Sequence, residues 1–333
     1  MTYEQIIGEL QNKTYHPIYF LFGDEPYYVD LISNYIASNV LSEAEKSFNQ
    51  TVIYGKDSDG PAVLNHAKRF PMMANQQVVI VKEAQELKDF ESLIHYIENP
   101  LKSTLLVINY KYKKPDARKK VFKTLKQKSV YFESKKLYDN QIPGWITAYL
   151  TKRKYNIQPK AASLLSEFLG SDLSKITNEL DKLIIILGET ENTVTPEHIE
   201  RNIGISKDYN QFELQKALGT KDVVKANRII NYFASNQKNN HITQTISSLY
   251  YYYSKLLIYY YLPDKSKGSV AAALKINPFF ASDYMEAAKR YKPTKVAEII
   301  TILREYDMRS KGYGGDTTSA GNLLKELIFK ILH

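Results

Sequence analysis

No cysteine occurs among the 333 residues, which excludes disulfides, thiolate metal ligation and a cysteine nucleophile. No run of about twenty apolar residues is present, so a membrane-spanning helix is not expected. The first residues carry Glu4 and Glu9 and no apolar stretch of the signal-peptide kind, so nothing points to export and a cytoplasmic setting is expected. The six histidines, His16, His66, His95, His198, His241 and His333, are scattered without ligand spacing, and no metal site is expected. A nucleophile elbow, a dinucleotide fingerprint and a paired-carboxylate motif are missing as well.

The most informative absence lies where a nucleotide-binding protein keeps its phosphate loop. The run Ile18-Tyr19-Phe20-Leu21-Phe22 ends at Gly23 and passes into Asp24-Glu25-Pro26. A phosphate loop needs several glycines whose N–H groups cradle the anion, then a Lys and a Ser/Thr hydroxyl. Here one glycine precedes two carboxylates, which repel a triphosphate at a helix start, and Pro26 has no N–H to donate. The strand Thr104 to Asn109 continues into Tyr110-Lys111-Tyr112-Lys113, with none of the acids that hold magnesium or orient water in a P-loop ATPase. Two parts of an ATP site are thus missing from one region, and neither a cofactor nor catalysis by this chain is expected.

What is present is basic charge in one place. The net charge is +9. Residues 111 to 136 hold eleven basic side chains, among them Lys113, Lys114, Arg118, Lys119, Lys120 and Lys123, against Asp116 and Glu133, so this segment carries the whole excess. Two readings stand: a surface facing DNA phosphates, or a solvated helix face beside a strand.

The first third alternates strand-like runs (Ile18 to Phe22, Thr51 to Tyr54, Gln77 to Lys82, Thr104 to Asn109, Val130 to Glu133) with helical patterns over Tyr28 to Val40, Ala62 to Arg69 and Phe90 to Glu98. That order implies βαβ units and a mostly parallel sheet covered on both faces. After about Leu137 no strand is expected. Leu173, Ile176, Leu180, Leu183 and Leu187 form a helical stripe ending at Gly188, and Thr195-Pro196 starts a further helix. From about Asp208 every pattern is helical. The expected division is an α/β domain over 1–137, a small helical domain over 138–207 and a helical bundle over 208–333. Of the 27 tyrosines, those at 250–253 and 259–261 surround one helix; with only Lys255 among them, bundle and intersubunit packing is favoured over base stacking.

Four stretches carry a resemblance: Tyr19 to Tyr27, Phe70 to Val81, Asp172 to Leu183, and Leu303 to Asp307 with Lys311. In this order and spacing the chain resembles the delta subunit of the bacterial DNA polymerase III clamp loader over essentially its full length. The resemblance implies an AAA+-like parallel-sheet domain without a working phosphate loop, a small helical lid and a C-terminal helical collar. It implies a non-catalytic subunit of a polymerase complex that binds the ring-shaped sliding clamp and props it open. The implied partners are that clamp, the gamma/tau and delta-prime loader subunits, and primer–template DNA. A stand-alone DNA-binding protein using the basic segment is the alternative.

By alignment of the second stretch, the family's apolar clamp-contacting pair falls on Met72 and Met73, where many relatives carry a Leu-Phe type pair. Methionine is apolar and adaptable enough for a partner's pocket; read from the residues alone, the two belong to the core beside a strand. Asp307 and Lys311, four apart in the favourable acid-first order, read either as an ion pair that fixes helix packing or as a contact to a neighbouring subunit or DNA.

Overall fold

The continuous apolar runs of the first third become one parallel sheet because both of its faces are covered. The computed structural model describes residues 1–188, 191–238, 240–313 and 317–333, which form two units, Met1–Tyr138 and Asp139–His333. In the first, α1 (Tyr3–Gln11), β1 (Ile18–Gly23), α2 (Pro26–Asn39), α3 (Glu43–Asn49), β2 (Gln50–Tyr54), α4 (Gly60–Ala67), β3 (Gln77–Lys82), α5 (Ile94–Glu98), β4 (Thr104–Lys111), α6 (Lys120–Lys128) and β5 (Val130–Glu133) follow one another. The strand order is β2-β3-β4-β1-β5, and every pairing is parallel.

Alternation along each strand feeds two cores. Ile18, Phe20 and Phe22 of β1 join Val79, Val81, Leu106 and Ile108 under α4, α5 and α6. Tyr19 and Leu21 join Val78, Ile80, Leu105 and Val107 under α1 and α2. Each such Leu or Ile contributes about 1.5–3 kcal/mol by leaving water. All five strands fall where the apolar runs place them. The helix expected from Ala62 starts earlier, at Gly60, because Asp59 caps it by accepting from the Ala62 N–H at 2.9 Å. The helix expected over Phe90 to Glu98 is broken: a 3₁₀ turn over Phe90–Leu93 precedes α5.

The second unit comprises α7 (Ile142–Thr151), β6 (Asn156–Ile157), α8 (Pro159–Leu169), α9 (Leu173–Leu187), β7 (Thr193–Val194), α10 (Pro196–Ile203), α11 (Gln211–Gly219), α12 (Val223–Ser235), α13 (Ile242–Tyr260), α14 (Lys267–Leu274), α15 (Ala281–Arg290), α16 (Pro293–Ser310) and α17 (Ala320–Leu332). The expectation of no strand beyond Leu137 is corrected: β6 and β7 pair in parallel. Two residues each are too few to show alternation. The stripe Leu173, Ile176, Leu180, Leu183 and Leu187 is buried, and Gly188, at φ +59°, ends α9 in a conformation that favours glycine. Helices α11 to α17 share one apolar core, and Arg309 of α16 grips both carboxylate oxygens of Glu326 on α17 at 3.2 Å. The expected 207/208 divide falls inside this unit. Across it, α8 meets α11 through Lys160 and the buried Glu213 at 2.6 Å. Burial pushes the Glu213 carboxyl upward, but the ammonium groups of Lys160 and Lys225 outweigh it and hold the net shift downward.

Candidate functional site

The turn after β1 is closed by the chain's own backbone. Gly23 sits at φ +134°, and a Cβ there would collide with the carbonyl of Ser134, just past β5. Ser134 N–H donates to Phe22 O at 2.7 Å, the Glu25 N–H donates to Ser134 O at 3.2 Å, and the Tyr112 N–H donates to Gly23 O at 3.0 Å. Glycine is required by this close approach. The buried Glu25 is the N-cap of α2, its carboxylate accepting from the Tyr27 N–H at 3.1 Å. A carboxylate of the protein thus occupies the helix start at which a phosphate binds in nucleotide enzymes. At the C-terminal end of β4, the buried Asn109 donates to Ser33 Oγ at 2.9 Å, and Lys111 is paired with Asp30 of α2 at 2.6 Å.

The segment entering β3 at the opposite edge of the sheet is built the other way round. Its backbone is pinned and its apolar side chains are left outside. Phe70 is 76% exposed, Met72 61%, and Met73 fully exposed; Met73 holds a left-handed backbone, φ +54°. The core reading of Met72 and Met73 is therefore corrected. The foot of the loop is fixed by the buried Gln77 and Thr104: Gln77 Nε2 donates to Arg69 O at 2.5 Å, and the Thr104 hydroxyl donates to Ala67 O at 3.0 Å. Its middle is fixed by Asn49, buried at the end of α3. Asn49 Nδ2 donates to Met72 O at 2.9 Å and its Oδ1 accepts from the Met72 N–H at 2.6 Å. Phe48, beside Asn49, is 73% exposed. Sequence reasoning passed over Phe70, Phe48 and Asn49. Phe70 could have been found, since it precedes Pro71 in a segment too short and irregular for a helix or strand; Asn49 left no signal.

The basic segment carries less free charge than its composition implies. Lys111 pairs with Asp30, Lys113 with Glu86 at 2.9 Å, Lys119 with Glu91 at 2.5 Å and Lys120 with Glu98 at 3.0 Å. Arg118 pairs with Asp116 and Lys135 with Glu133 inside the segment. Lys114, Lys123, Lys126, Lys128 and Lys136 are exposed, with no carboxylate in ion-pair range among the described residues. The structure thus separates the six candidates into four paired side chains and two open ones, Lys114 and Lys123. In the second unit, Lys311 and Asp307 form the i,i+4 pair at 2.6 Å, both partly exposed. Tyr252, Tyr253 and Tyr259 are buried in the bundle, while Tyr250, Tyr251 and Tyr261 face outward. Among the described residues no three His, Asp or Glu side chains gather as a metal ion would need.

Residues 19–135 match the family model of the DNA polymerase III delta subunit. The chain is 26% identical over 313 residues to the DNA polymerase III subunit delta of Bacillus subtilis, covering 91% of this chain and 90% of that one. Among solved structures it is similar to a Bacillus subtilis DNA clamp loader delta protein, with a TM-score of 0.54, 22% identity and 99% of each chain covered; this likeness speaks to the fold. The fold class expected from the sequence, a covered parallel-sheet α/β domain followed by helices, is the one observed, and it is shared with that delta protein. The sheet, the loop and the matched stretch 19–135 thus agree in making the chain similar to DNA polymerase III delta subunits.

Proposed function

We propose that this chain is the clamp-opening subunit of a DNA polymerase III clamp loader, gripping one protomer of the sliding clamp and turning over no nucleotide itself. The observation that carries the reading is the loop with Phe70, Met72 and Met73: apolar side chains held in water by a backbone that hydrogen bonds fix. Exposed apolar clusters on a rigid support mark protein–protein contacts. The self-capped turn at Gly23–Glu25 supports the second half of the proposal.

Opening a closed ring requires that the open form be bound better than the closed one. Reversing a 1:99 bias takes about 5.5 kcal/mol of differential affinity. Burying three side chains of this kind offers about 1.5–3 kcal/mol each before the costs of association, which is the right scale if their pocket is fully accessible only in the open ring. ATP-binding gamma/tau and delta-prime subunits would time the exposure of the loop, and the second unit would join them in an oligomeric collar around primer–template DNA in the cytoplasm. The rival reading, DNA gripped by residues 111–136, is weakened because four of its lysines already face carboxylates from outside the segment.

The test compares binding of the purified chain to the closed clamp and to a clamp protomer whose ring interface has been broken by mutation. The protomer, which needs no opening, is expected to bind more tightly. Equal affinity for the two forms would remove the ring-opening role, and salt-sensitive DNA binding with no clamp binding would favour the rival.

A further inference from the structure

We infer that Asn49 is the positioning residue of the clamp-facing loop, an inference that rests on reading Met72 and Met73 as the anchor. The ladder between β2 and β3 begins at Gln50 opposite Val78, so no strand partner is left for the backbone of Met72. The Asn49 side-chain amide takes that place. It offers a donor and an acceptor at the spacing of a peptide group, and Met72 uses both, through its O at 2.9 Å and its N–H at 2.6 Å. The second Nδ2 hydrogen goes to Glu45 O at 3.2 Å, which ties the amide to α3. Asn49 itself is 4% exposed, so its end of these bonds is shielded from water.

A residue that served only to finish α3 would need the Glu45 bond alone and would leave Oδ1 idle. Here Oδ1 makes the shortest of the three bonds, and it reaches 23 residues along the chain. Directly after the clamped residue, Met73 adopts a left-handed backbone without being glycine, a conformation kept only where neighbouring structure enforces it. Gln77 and Thr104 hold the foot of the loop, and Asn49 holds its middle. The apolar side chains are then presented with their backbone already ordered, which spares the entropy that binding would otherwise lose.

Asn49→Ala should weaken clamp binding about tenfold, which is about 1.4 kcal/mol, with an unchanged far-UV spectrum and faster amide exchange over residues 70–75. Added to Met72→Ala/Met73→Ala, it should have a much smaller effect than on its own, because Phe70 is then the one anchor of the three left to present. Asn49→Asp keeps the acceptor but sets an anionic oxygen against the carbonyls of Met72 and Glu45; it should bind no better than Asn49→Ala, and Asn49→Ser, small and polar, replaces Asn49→Ala should that variant fail to fold. If the double methionine variant binds as wild type does, the anchor reading fails. If that variant loses binding while Asn49→Ala and Asn49→Asp stay within twofold of wild type, the anchor stands and the role of Asn49 is overturned.

Discussion

The two edges of the first unit's sheet treat their exposed groups in opposite ways. At the C-terminal edge, where β1 runs into α2, the backbone groups are turned inward onto Ser134 and Tyr112, and a native carboxylate caps the helix. At the N-terminal edge, where the loop runs into β3, the polar backbone is equally well held, yet three apolar side chains are left in water. One edge is complete in the isolated chain and the other is not. The incomplete edge is where a partner is to be sought.

The comparison breaks most visibly at the loop itself. Met72→Ala with Met73→Ala should lower clamp affinity by two orders of magnitude or more, since two buried anchors carry about 1.5–3 kcal/mol each. The melting temperature should stay put, because neither side chain is packed; calorimetry and thermal denaturation check the two halves. At the sealed edge the sign reverses. Gly23→Ala should destabilise the first unit by about 3 kcal/mol, through a positive φ and a collision with the Ser134 backbone, visible as a lower denaturant midpoint.

Glu167 shows where self-satisfaction stops. Its Oε2 is buried without a hydrogen-bond partner, and burial pushes its carboxyl up to about 8 despite the Gln211 N–H, which pulls it down. The folded chain therefore keeps a proton that the unfolded chain releases in the ordinary carboxylate range. Stability of the second unit should fall as the pH rises from about 4.5 to about 8 and level off above that. Glu167→Gln, neutral throughout, should flatten this profile and stabilise by about 2 kcal/mol at pH 8, measured by melting across the range. The smallest effect is expected for Glu25→Ala. Losing the cap should cost about 1 kcal/mol, and equilibrium dialysis should find no ATP binding gained, because the Glu25 N–H remains bonded to Ser134.

The sheet was legible because a strand buried on both faces is apolar at nearly every position, as Val78 to Val81 are. The β6–β7 pair was not, being two residues per strand. The missing phosphate chemistry could be read directly from Gly23-Asp24-Glu25. The pairing of Lys111, Lys113, Lys119 and Lys120 could not, since Asp30, Glu86, Glu91 and Glu98 reach them only through the fold. Met72 and Met73 look like core in any local window, because hydrophobicity does not distinguish a side chain packed inward from one held outward. Asn49, a polar residue ending a short helix, carries no pattern at all.

The most direct measurement is a titration of sliding clamp with the purified chain, with and without ATP, while phosphate release is followed in the same samples. One clamp-bound species with the same affinity in both conditions, and no phosphate released, is the expected result. Binding that requires ATP, or phosphate released in proportion to the chain, would contradict a subunit that works by grip alone.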